Sequence, residues 1–148
     1  MNWVKNYILI LFFLVFLTSI NAQSEDFIGI YIHKKEAENG VIQHKMVLDE
    51  EGSFLFSAFF SPIDREGKML EIKSDYGSGN WRANGDQIFF IVDKDKDFDA
   101  ERTLDFSNTR ARIQQPIPSN PEGNSEPVLL VFFDSDISWL KGLKLPKQ

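Results

Sequence analysis

Between Phe27 and Leu145 the apolar side chains recur at a spacing close to two, and no window of eleven or more residues carries a helical stripe. Successive side chains on a strand point to opposite faces, so this spacing specifies half-buried strands. It predicts strands over residues 27–32, 41–48, 53–60, 68–73, 80–83, 86–92, 103–106, 109–113 and 128–133, with a closing segment over 138–145. Between them lie breakers: the charged run 34–38 with Asn39-Gly40, the turn Asp49-Glu50-Glu51-Gly52, Ser61-Pro62, and a bend at Gly77-Ser78-Gly79. Asn84-Gly85 is the strongest hairpin signal, because both residues tolerate the positive φ of a type I′ turn. Residues 114–127 hold four of the six prolines, show no periodicity and read as a long surface loop.

Eight or nine short strands with tight turns specify an all-β fold. The expected architecture is a single antiparallel up-and-down barrel, or barrel-like sandwich, of about eight strands over residues 26–145, with Trp81 buried. Closure removes the edges that an open sheet of this size would leave for aggregation. At 43% hydrophobic and 26% charged, the chain has the make-up of a globular protein. With no Cys it has no disulfides, thiolate metal site or Cys nucleophile. A formal charge of -6 argues against nucleic-acid binding, which needs a basic face to replace phosphate counterions.

Residues 1–22 read as a secretory signal peptide. Lys5 precedes the apolar run Tyr7 to Leu17, and Thr18, Ser19, Asn21 and Ala22 lead to a cut after Ala22. Eleven apolar residues fall short of the roughly 20 that a membrane-spanning helix needs. Residues 23–148 then form the β domain, with 15 basic and 22 acidic side chains. The expected location is periplasmic or extracellular, with no membrane span once the signal is removed.

Three patterns carry a resemblance. They are Gly29-Ile30-Tyr31 on the opening strand, the hairpin from Leu48 to Phe56 (LDEEGSFLF), and Gly79 to Ile88 (GNWRANGDQI). In this order they resemble the small secreted bacterial lipocalin-like (calycin-type) β-barrels, over roughly residues 27–92. The resemblance implies a barrel whose opening aromatic plugs one end. It also implies an Arg packed over that plug, for which Arg110 and Arg112 are the candidates.

His33 and His44 face each other across a hairpin if the intervening loop closes with four residues, which would offer two metal ligands but no third. Asp93, Asp95, Asp97 and Asp99 alternate like a calcium loop, yet Phe98 and Leu104 stand where an EF-hand needs Gly and Glu. That segment reads instead as a solvated hairpin tip. Hydrolase, metalloprotease, phosphate-loop and dinucleotide motifs are missing from the sequence, so no enzymatic activity and no cofactor are expected. The pairs Phe59-Phe60, Phe89-Phe90 and Phe132-Phe133 must each send one ring outward. The outer rings either lie under the Pro-rich loop or C-terminal segment, or form a docking patch. The expected function is therefore an exported, non-enzymatic binding protein that holds a small apolar ligand in the barrel, with Tyr31, Phe54, Phe56 and Trp81 as the ligand-binding residues. The alternative is a secreted or envelope protein–protein interaction module with a filled core, docking through outward aromatics and the tail Ser138–Gln148.

Overall fold

The computed structural model describes residues 25–68, 70, 72–116 and 126–148. The expected signal peptide and residues 117–125 of the Pro-rich loop lie outside the described residues, as do Met69 and Glu71. Eight strands run β1 Gly29–Ala37, β2 Gly40–Leu48, β3 Ser53–Pro62, β4 Lys73–Asn84, β5 Gln87–Ile91, β6 Arg110–Gln114, β7 Leu129–Asp134 and β8 Lys144–Pro146. They pair antiparallel in chain order as one sheet. β8 returns to β1 through a bridge between Tyr31 and Lys147 and a bond from Gln148 N to Ile30 O of 2.9 Å, so the barrel is nearly closed. The all-β meander expected from the apolar spacing is the observed fold.

The differences are local and have physical causes. β1 continues through its charged run to Ala37, because the paired backbone needs no apolar side chains where both faces meet water. β3 likewise runs on to Pro62, which ends the strand opposite Gly40. The described residues Lys68, Leu70 and Ile72 lie outside any strand: Leu70 and Ile72 are exposed, and β4 begins only at Lys73. It then passes straight through Gly77-Ser78-Gly79, where a bend was expected. A Cβ on Gly77 would stand 2.6 Å from Phe106 Cε2, and one on Gly79 2.5 Å from Ile91 O, with φ at +153°. These glycines admit core rings against the backbone without bending the strand.

The two Asn-Gly turns sit one residue away from expectation. Glu38-Asn39 turns between Ala37 and Gly40, and Gly85-Asp86 turns between Asn84 and Gln87, with Gly85 at φ +62°. The second shift places Phe90 directly opposite Trp81. Residues 103–106 are extended but make no strand; Leu104 N donates to Tyr76 O at 3.0 Å, which leads Phe106 into the core. The expected acidic hairpin tip is a one-turn helix, α1 (Lys94–Asp97). Asp93 caps it by accepting from Asp95 N at 3.1 Å.

Candidate functional site

Strand register sorts the inward residues of β1–β4 into four rows. From one end of the barrel they are Gly29–Leu48–Phe54–Gly79, Tyr31–Met46–Phe56–Gly77, His33–His44–Ala58–Asp75 and Lys35–Ile42–Phe60–Lys73. The shorter strands β5–β8 bring Ile88, Phe90, Leu130, Phe132 and Leu145 into one core with the first two rows. The third and fourth rows project as an open lip.

All four residues expected to bind ligand lie at the closed end. Tyr31 is fully buried, and its hydroxyl donates to Phe27 O at 2.6 Å. Burial, with the Asp26 charge second, pushes that phenol well above its ordinary value. Trp81 is buried, meets Phe27 edge-on at 6.3 Å and donates from Nε1 to Asp49 O at 3.2 Å. The hairpin carbonyl it reaches is held by Asp49, whose carboxylate accepts from Ser53 N at 2.7 Å and from Ser53 Oγ. That side-chain bond holds the Asp49 carboxyl below its ordinary value. Phe54 and Phe56 each lie 5.2 Å from Phe106, and Phe56 lies 6.5 Å from Phe132. The structure therefore gathers all four into one packed interior, where rings fill the space between them.

One open space among the described residues is higher up. A groove of about 270 Å³ opens at the lip, bounded by Ile42, His44, Ala58, Phe60, Lys73 and Asp75, with Trp139 over it. None of the four expected ligand residues lines it. Ala58 makes the hollow, being the one short side chain between His44 and Asp75 in a row of larger ones. Trp139 arrives from the β7–β8 connection and stacks on His44 at 5.6 Å, 28° from parallel, while remaining 45% exposed. On its inner side His44 meets Phe56 at 6.3 Å. Its Nδ1 is buried without a hydrogen-bond partner. Burial first, and the facing His33 second, depress the His44 pKa below 6.5.

His33 and His44 are direct cross-strand partners, in the register the expected hairpin implies. Among the described residues no group of three or more His, Asp or Glu side chains could hold a metal ion. Nor do Arg110 and Arg112 cover the plug: both guanidiniums lie over the outward Phe133, at 5.4 and 6.0 Å, and Arg110 pairs with Asp134. The cation over Tyr31 is Lys147, with Nζ 5.8 Å from the ring centroid. The other outward rings also have polar or aromatic cover, Arg82 over Phe89 at 6.0 Å and Tyr76 edge-on to Phe59 at 5.8 Å. The C-terminal tail expected to dock elsewhere is spent on its own barrel, burying Leu140 and Leu145.

An apolar hollow with a few polar groups at its edge is the usual form of a small-molecule site, and at about 270 Å³ this one is slightly smaller than the roughly 300–1,000 Å³ such sites usually enclose. No family model, no curated protein and no solved structure matches this chain. Sequence reasoning missed Ala58, Lys73, Asp75 and Trp139. The signal for the first was a lone alanine within a phenylalanine-rich strand. Lys73 and Asp75 become visible only once β4 is known to begin at Lys73.

Proposed function

We propose that this chain is an exported, non-enzymatic binding protein of lipocalin-like build, and that it takes a small, largely apolar ligand in the groove at the open end of its barrel. The observation that carries the reading is the hollow above Ala58, with apolar walls and an orphaned His44 Nδ1 beside it. Export rests on the apolar leader of residues 7–17, and intact mass of the secreted protein should place its start near Gln23. Ligand binding is tested by extracting the protein as purified from its native host, with mass spectrometry of what is released. A defined small molecule at one equivalent supports it. An empty extract, together with no quenching of Trp139 by the uncharged fluorophore N-phenylnaphthylamine, overturns it.

One observation favours the alternative of an interaction module. Ile30, Val47 and Leu55 form a cross-strand row on the outer face of β1–β3, with Ile30 and Leu55 both exposed. If the groove is empty and Leu55→Arg abolishes capture of a protein from the native host, that surface takes precedence over the groove.

A further inference from the structure

The rim of the groove carries more chemistry than its apolar walls. Lys35, Ile42, Phe60 and Lys73 are cross-strand neighbours in one inward row; Lys73 lines the groove, and Lys35 stands at the far end of the row, beyond Ile42. Three strand spacings of about 4.8 Å set the two lysine backbones roughly 14 Å apart, a gap that two long, flexible stems can close on a single anion. Among the described residues neither lysine is in an ion pair, whereas the adjacent Lys34, which points outward, pairs with Glu36. In a chain of formal charge -6, this row carries two cations and no carboxylate.

We propose that the groove is built for a planar apolar acid, its rings lying over Ala58 against Trp139 and its carboxylate or sulfonate held between Lys35 and Lys73 at the rim. This rests on the reading of the groove as a ligand site and adds the class of ligand. A flat ring system suits the aromatic lining, since Trp139, stacked on His44, and Phe60 both border the hollow. The position of the head follows from charge. Asp75 faces the same hollow one row deeper and repels an anion there, while the exposed lysines attract it at the mouth, where salt screens the pairing.

Two probes with one ring system separate the charge preference from binding itself: anilinonaphthalene sulfonate and its uncharged counterpart N-phenylnaphthylamine. Fluorescence titration at neutral pH and low salt should show the sulfonate binding about tenfold more tightly. Lys73→Gln and Lys35→Gln should each weaken the sulfonate several-fold more than they weaken the uncharged probe. Asp75→Asn should tighten the sulfonate more than the uncharged probe, and added salt should weaken the sulfonate. Lys34→Gln, on the outer face, should alter neither probe. Equal affinity for the two probes, or a preference that survives both lysine substitutions, overturns the assignment of an acid while leaving the groove a ligand site. Binding of neither probe overturns the ligand-site reading and this assignment with it.

Discussion

The first two rows of β1–β4 and the last two hang on the same strands in one unbroken register, yet one end is a packed core and the other an open lip. At the closed end the rows hold Leu48, Phe54, Tyr31, Met46 and Phe56, and glycines on β4 admit rings from across the barrel. At the lip the same strand positions hold His33, His44, Asp75, Lys35 and Lys73, with Ala58 where a ring would be needed to fill the space. The difference lies in the partners rather than in the strands: β5–β8 are too short to line the whole height of β1–β4. A barrel of eight strands is filled by its own side chains or keeps room for one small ligand. This one does the first over half its height and leaves a groove over the other.

Truncating one phenylalanine at each end should give the largest contrast. Phe56→Ala removes a fully buried ring that touches Phe106 and Phe132, and should cost about 3–5 kcal/mol. Phe60→Ala removes a half-buried ring at the lip, where water can enter the space, and should cost about 1 kcal/mol or less. Urea denaturation of the two variants measures both. Equal losses would mean that the lip is packed as tightly as the core.

Gly79→Ala should rank next, at about 2–3 kcal/mol. The new Cβ would stand 2.5 Å from Ile91 O and 2.9 Å from the Phe54 ring, on a backbone with φ of +153° that L side chains rarely adopt. Gly67→Ala, in a loop near the lip, meets nothing within 4 Å and sets a baseline for backbone strain alone at φ +80°. Tyr31→Phe should follow at about 1–2 kcal/mol, because it keeps the ring in the plug and leaves Phe27 O without its 2.6 Å donor. Thermal or urea unfolding resolves each.

How much of this was legible in the sequence divides along the same line. The closed end was legible because its signal is local: alternating apolar residues, a glycine two residues before an aromatic, and Trp81 in a glycine-flanked strand. Tyr31, Phe54, Phe56 and Trp81, expected as ligand contacts, are buried in the core. That they pack against Phe106, Phe90 and Phe132 depends on segments joined by long connections, which spacing cannot register. The lip was illegible for a different reason. There β1 is polar on both faces, so its charged residues read as a turn. Leu70 and Ile72 meanwhile alternate as a strand should, although both are exposed before β4 begins. Trp139 reaches the groove from a turn more than ninety residues along the chain from His44, and no local pattern marks that contact.

The smallest expected effect sharpens the comparison at the row where the core gives way to the lip. His44 is held neutral by its place between Phe56 and Trp139, with His33 facing it on β1 and Asp75 two strands away. Its folded pKa lies below the 6.5 of an exposed imidazole, so between those two values the unfolded chain binds more protons than the folded one. Stability should therefore fall as pH drops through 6.5 and level off below the depressed folded value, with no contribution from this group above that window. His33 is the charge best placed to deepen the loss, since two imidazolium ions would face each other across one strand spacing. His44→Gln should flatten this part of the pH profile, whereas His33→Gln should retain it in weakened form, because burial is the larger cause. Urea midpoints from pH 5 to pH 8 for the three proteins measure it. An unchanged slope in His44→Gln would mean that the ring is solvated like the rest of the lip and that the core ends one row lower.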